Sequence, residues 1–245
     1  EEELNGDGVV DDEIEKYGLV EAAKLLFSNK YYIMISVTYI VQQTYSAMLN
    51  MGIYYMTYVL LNEDLYAVFS WAINIPLIIA LIITPTLVAK WKGLYKLNIV
   101  GYAIATVGRA LVVAAYMHSV PLMILFTAVS SFGQGPWQGD MGAVVANCSE
   151  YTYLTKGKRI DGTMYSCTSF GTKLGGGIGT ALTGWLLAAS GFNGEVVTQS
   201  ASCLNMLHFM YLWFPVILAL IITFIMTKMN VEKANEELKS RRLKG

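Results

Sequence analysis

Residues 156–190 read KGKRIDGTMYSCTSFGTKLGGGIGTALTGWLLAAS, and this stretch decides the fold. It opens on a basic, turn-rich loop: Lys156, Gly157, Lys158, Arg159, Asp161 and Gly162. From Thr163 to Ser190 the single charge is Lys173. About 28 residues rising about 1.5 Å each make a helix of about 42 Å, enough to cross a bilayer with tilt. Lys173 then falls about 15 Å from the basic end, near mid-membrane. A lone ammonium at that depth costs about 2.5–3.5 kcal/mol on insertion scales, so a partner charge, a wet cavity or a substrate is expected to offset it. At about 100° per residue, Gly171, Gly175 and Gly179 share one face, a GxxxGxxxG ridge suited to close packing on a neighbouring helix. Ser166, Ser169, Lys173, Gly176, Gly177 and Thr180 share the opposite face. That face is small and polar and suits a water-filled path.

Outward from this helix, the composition agrees. The chain has 245 residues, 55% hydrophobic and only 14% charged, where a soluble domain carries about 25% charge. Apolar runs recur at membrane-spanning length, which predicts an all-α integral membrane protein. Six spans are expected: Tyr31–Leu61, Leu65–Ala89, Leu94–Met117, Pro121–Asn147, Thr163–Ser190 and Leu204–Thr227. Residues 29–228 form the bundle on this reading. Residues 1–28 are a polar, acidic segment, with a short interfacial helix from Ile14 to Phe27, and 229–245 are a charged, helix-prone tail. The run Asn5-Gly-Asp7-Gly fails as a calcium loop, because Lys16 stands where the closing Glu belongs. Lys and Arg segregate to one side: Lys16, Lys24 and Lys30, then Lys90, Lys92 and Lys96, then Lys156, Lys158 and Arg159, then the tail. The loops on the other side contain none, so both termini are expected in the cytoplasm.

Polar residues inside the spans are the candidate site. Tyr39, Gln43, Ser46 and Asn50 recur at helical spacing, facing helices or water, with packing and substrate roles both open. Asn74 accompanies Pro76 and Pro85, which are expected to kink their span. Arg109 is close enough to the outer end to snorkel. Gln134, Trp137, Gln138 and Met141 share a face. A ring beside amides suits a sugar, held ring to ring with its hydroxyls bonded, or else the ring simply packs. Asp140 and Lys173 lie at depths that allow antiparallel neighbours to pair them, as a gate or coupling element. Glu150 is placed to meet Arg159 or another basic group. Cys148, Cys167 and Cys203 lack metal-ligand spacing and read as free thiols. No nucleophile–base pair, metal cluster or phosphate-cradling loop is present in the sequence, so an enzyme, a metal site and a nucleic-acid partner are not expected.

One run carries a resemblance: Glu150-Tyr151, Lys156-Gly157-Lys158-Arg159-Ile160-Asp161-Gly162, Tyr165-Ser166, Ser169-Phe170, Lys173 and Gly191-Phe192. In order and spacing it resembles the glycoside–pentoside–hexuronide:cation symporters of the major facilitator superfamily. Asn29-Lys30, Tyr54 to Val59 and the turn from Ala89 to Gly93 agree more weakly. The resemblance covers nearly the whole chain but only the second half of the family's pattern. It implies the C-terminal six-helix bundle of a twelve-span sugar:cation symporter, with residues 1–28 linking two bundles. The chain begins at Glu1, and a fragment or a processed piece is expected. The resemblance further implies a sugar or glycoside substrate, an inner (plasma) membrane location, and a partner N-terminal bundle in the same or a second chain. Na+ or H+ would be the coupling ion, held mainly by that other bundle, and this half would bind no cofactor alone. Lys173 matches the family's lysine near the cation and sugar sites. Thr168 and Ser169 match polar positions beside it, and Trp137-Gln138 falls within about one residue of a family tryptophan. Asn147 stands where many members have Asp. The resemblance thus assigns Trp137, Gln138, Thr168, Ser169 and Lys173 to the sugar path, and Arg159 and Glu150 to closure of the basic side. Two other readings stand beside it: a six-span membrane protein without transport of its own, and a lipid-handling member of the superfamily, which would need a more apolar cavity.

Overall fold

The computed structural model describes residues 18–242. Expectations for residues 1–17, including the calcium-like run and the start of the interfacial helix, lie outside the described residues. Within them the elements are α1 (Leu19–Ser28), α2 (Lys30–Asn50), α3 (Gly52–Tyr58), α4 (Leu65–Trp91), α5 (Tyr95–Ala115), α6 (Val120–Lys156), α7 (Asp161–Met164), α8 (Ser166–Ala189) and α9 (Ala201–His208). A π-helical turn (Phe209–Trp213), α10 (Phe214–Lys228) and α11 (Val231–Arg242) complete the chain, with no strand among the described residues.

Among the described residues, three helical stretches are long and apolar enough to cross a membrane: Leu65–Trp91, Tyr95–Ala115 and Ala201–Arg242. Their outer faces are apolar. Trp71, Ile78 and Ile82 on α4 and Leu220 and Phe224 on α10 are all exposed. Such continuous apolar surface suits hydrocarbon as solvent.

Several element boundaries differ from expectation, each for a local reason. The Tyr31–Leu61 stretch is interrupted at Met51, beside Gly52, which packs so close to the ring of Tyr211 that a Cβ would lie 2.8 Å from the ring edge. Helix α6 runs nine residues past Asn147, since nothing breaks it before Gly157, which ends it with φ +74°. The Thr163–Ser190 span begins as α7 and restarts as α8 after Tyr165. The last span carries the π turn just before Pro215, whose missing N–H breaks the i→i−4 ladder.

Glycines set the helix spacing. The ridge Gly171, Gly175, Gly179 is buried against α2, where added methyls would overlap Tyr39 Cβ, the Ile40 carbonyl and Ala47 Cβ. A second set joins α5 to α6: a Cβ on Gly133 would meet Gly101 O at 2.6 Å, and one on Gly108 would meet Ser130 N at 2.8 Å. Gly135 does the same for α4, against Ala80. Close backbone approach of this kind is how helices associate where water supplies no hydrophobic drive.

The helix ends sort into two layers. At one end Asn29 caps α2, accepting from Tyr31 N and Tyr32 N at 2.9 and 3.3 Å. It also donates to Cys148 O and Thr152 Oγ1 of α6 at 2.7 and 2.9 Å. Glu232 of α11 accepts from Leu94 N and Tyr95 N, each at 2.9 Å, so a carboxylate sits at the positive end of α5. Lys158 bridges to Glu21 of α1 at 2.7 Å. Lys30, Lys90, Lys92, Lys156 and the tail therefore share one end, as their segregation in the sequence implies. The opposite end is aromatic: Tyr55 stacks on Tyr211 with centroids 4.6 Å apart, and Phe192 meets Tyr54 and Tyr58 edge-on. Aromatic side chains concentrate where a membrane meets water.

Arg109 does not snorkel. It is 1% exposed, donates to the carbonyl of Tyr211 and lies over that ring at 5.0 Å. The ring face and the carbonyl, offered where the π turn loosens the backbone ladder, replace the water it would otherwise seek.

Candidate functional site

A cavity of about 220 Å³ opens among α2, α4 and α6. Tyr45, Ser46 and Asn50 line it from α2, Ser70 and Asn74 from α4, and Gln134 and Gln138 from α6, with Tyr211 at one side. Each pair of polar residues spaced by four puts its groups on one helix face, which is why they converge. The lining contains amides, hydroxyls and apolar groups and no charge.

Hydrogen bonds hold its wall. Tyr102 donates to Gln42 Oε1, Gln42 Nε2 donates to Gln134 Oε1 at 3.2 Å, and Gln134 Nε2 donates to Tyr45 Oη at 3.3 Å. Amides fixed this way are pre-oriented to exchange hydrogen bonds with a neutral hydroxylated molecule. The volume falls below the roughly 300–1,000 Å³ of a complete ligand site.

The expected residues distribute unevenly. Gln138 lines this cavity. Trp137 does not: its ring is fully buried on the other side of α6, among Asn98, Val144, Met226 and Met229. The sugar platform expected of Trp137 is therefore corrected, since a ring sealed in the core offers no face to a ligand. The amides and the indole lie on one helix but diverge: Gln134 and Gln138 turn to α2 and α4, while Trp137 turns to α5 and α10. Thr168, Ser169 and Lys173 lie on α8. Ser169 and Lys173 are exposed, and Thr168 returns its hydroxyl to Tyr165 O at 2.8 Å. They do not join the lining of the cavity.

Asp140 and Lys173 are not paired. Asp140 is buried and accepts from Asn98 Nδ2 of α5 at 3.0 Å. Lys173 points away from α2, because the glycine ridge on the opposite face of α8 fixes that helix's rotation. Glu150 meets a basic group of the tail, Lys239, at 3.3 Å. Arg159 lies over the ring of Tyr153 at 4.6 Å, and Arg242 donates to Leu154 O at 2.8 Å. Asp161 accepts from Ser149. The basic loop is thus tied to the end of α6 and to α1. All three cysteines are buried free thiols, and no group of metal-ligating side chains occurs among the described residues.

Tyr45, Ser70, Gln42 and Tyr102 were not singled out from sequence. The four-residue step from Ser70 to Asn74 was the available signal for one of them. Gln42 and Tyr102 sit in the wall behind the cavity, and only the register of α2 on α5 and α6 shows it.

Apolar helices around an uncharged polar cavity define a helical integral membrane protein. The chain belongs to the MFS/sugar transport protein family, whose model matches residues 10–233. It is 30% identical over 158 residues to an isoprimeverose transporter of Lactiplantibacillus pentosus, covering 64% of this chain and 33% of that one. It is 30% identical over 142 residues to a glucuronide carrier protein homolog of Escherichia coli K12, covering 58% and 31%. An uncharacterized symporter of Bacillus subtilis is 25% identical over 182 residues, covering 73% and 39%. The chain therefore spans about a third of the length of these relatives. The family and its named members are transporters, not enzymes.

Proposed function

We propose that this chain is the C-terminal six-helix bundle of a secondary transporter that moves a sugar or glycoside together with Na+ or H+ by alternating access. The six spans are α2 with α3, α4, α5, α6, α7 with α8, and α9 through α10. The basic end faces the cytoplasm, both termini included, and the protein resides in the inner (plasma) membrane. A partner N-terminal bundle, in the same chain or a second one, supplies the other wall and most of the coupling-ion site.

The observation that carries this reading is the uncharged cavity, open and too small to be a whole site, on a bundle that matches a sugar transport family. Gln138, with Gln134, Asn74 and Ser46, exchanges hydrogen bonds with substrate hydroxyls. Lys173, Thr168 and Ser169 occupy the polar face of α8, which looks onto the path shared with the other bundle and gives the ammonium a wet environment. Lys173 responds electrostatically to ion occupancy there. Arg159 and Glu150 hold the basic end closed through Tyr153 and Lys239. A lipid-handling role fits less well, because the lining is amide- and hydroxyl-rich.

The test is uptake of labelled glycosides by the complete protein in cells or vesicles, with and without an imposed ion gradient. Ion-dependent uptake is expected, with Lys173→Ala abolishing accumulation and Gln138→Ala raising KM. A complete protein that moves no glycoside under any gradient overturns the reading in favour of a non-transporting membrane protein.

A further inference from the structure

A carboxyl group in the core of this bundle has neither an ion partner nor an expected role once its pairing with Lys173 is removed. Asp140 is 6% exposed. One oxygen accepts from Asn98, and the other, Oδ2, meets no donor. Among the described residues no lysine, arginine or histidine reaches it at ion-pair distance. The groups packed around it are otherwise neutral. From α5 comes Asn98, and α6 itself places Trp137 one turn before and Val144 one turn after on the same face. From α4 comes Thr84, packed on the adjacent Gly139, with its hydroxyl committed to Ala80 O at 2.7 Å. The nearby charged group is another carboxylate, Glu232 of α11, seated on the α5 amides one turn before Asn98. Glu232 is held in place by the Leu94 and Tyr95 amides.

We propose that Asp140 is a proton-binding site in this bundle. An ionised carboxylate there would be buried with one amide donor and its second oxygen unmet. A metal cation would find too few oxygens, Asp140 Oδ2 and Asn98 Oδ1. A proton needs only the one oxygen.

A small cavity of about 20 Å³ lies against the first turn of α5, beside Asn98, with Trp137, Val144, Met226 and Met229 in its mostly apolar lining. It has room for a single water. Release breaks the Oδ2–H bond, passes the proton to water at the basic end, and leaves the carboxylate on the Asn98 amide. Opening that end removes Glu232 with α11 and lets water reach Asp140. Both changes favour the anion, so proton release follows opening. The site itself stands apart from the transporter reading; its coupling to sugar movement rests on it.

Two measurements on the complete protein in lipid separate these parts. Infrared spectra at neutral pH are expected to show a protonated-carboxyl band that is missing in Asp140→Asn and shifted in Asp140→Glu, the latter variant guarding against misfolding. Identical carboxyl bands in wild type and both variants overturn the proposal. Sugar affinity measured against pH is expected to weaken by up to about tenfold per pH unit above the titration point in the wild type and to be flat in Asp140→Asn. A pH slope unchanged in Asp140→Asn overturns the coupling. The infrared band in a protein that binds no sugar upholds the proton site and refutes the transporter reading instead.

Discussion

Replacing Gly175 by alanine tests how α8 is seated. A methyl there would overlap the Ile40 carbonyl oxygen and stand 2.8 Å from Gln43 Cβ and 2.9 Å from Ile40 Cα. Comfortable carbon contacts begin near about 3.5 Å, so α8 must retreat by roughly half an ångström to one ångström. Two of the three obstacles are backbone atoms of α2, so no side-chain rotation relieves them. The retreat also stretches the bond from Thr44 Oγ1 to Gly175 O, now 3.2 Å, and loosens the contacts of Gly171 and Gly179 on the same ridge. Overpacking of this kind costs about 1–3 kcal/mol, set against a gain of up to about 1 kcal/mol from replacing a helical glycine. Gly177 provides the internal control. It lies on the same helix, and a Cβ there meets nothing within 4 Å, so Gly177→Ala receives only the gain. The gain is common to both and cancels, so the two variants should differ by about 1–3 kcal/mol, with Gly175→Ala the less stable. Thermal unfolding of the complete protein in detergent measures this. Equal stability of the two variants would refute the packing of α8 on α2.

Asn29→Ala removes two cap bonds and two ties to α6, and a loss of about 2 kcal/mol is expected in the same assay. Asn29→Asp, which keeps the cap acceptor but cannot donate to Cys148 O, should fall between it and the wild type. Arg109→Leu removes a buried cation held by a carbonyl and an aromatic face. A destabilisation of about 1.5–3 kcal/mol is expected, accompanied by faster proteolysis of the loop at residues 191–200. Lys239→Ala breaks a bridge in which the lysine is 56% exposed. It should change stability by less than about 1 kcal/mol, and a larger loss would mean that the tail is held mainly through that contact. Glu232→Gln, which weakens the carboxylate cap on α5, should raise hydrogen exchange at Leu94 and Tyr95 specifically, because their amides lose a charged acceptor.

The contrast between Gly175 and Gly177 shows how far the sequence reaches. Spacing alone placed Gly171, Gly175 and Gly179 on one face and Lys173 on the other, because helical periodicity is a local property of the chain. The same logic put Gln138 beside Gln134, and it held. It failed for Trp137, whose position on α6 is within about 100° of both the cavity and the core, so its environment depends on which helix lies on each side. It failed also for Asp140. Depth along a helix can be counted from sequence, but the azimuth of one helix against another cannot. Arg109 was read as snorkelling, since no periodicity predicts that the Tyr211 carbonyl and ring will lie beside it.

The residues by themselves determined the helical membrane character, the segregation of basic side chains to one end and the family resemblance carried by the run from Glu150 to Phe192. All of these follow from composition, period and local order. Only the tertiary structure decided which polar groups share a cavity, that Asp140 faces Asn98 rather than Lys173, and that the tail helix caps α5. The reason is that these contacts join residues 42 to 138 positions apart, and their partners are chosen by how glycine ridges let the helices seat on one another.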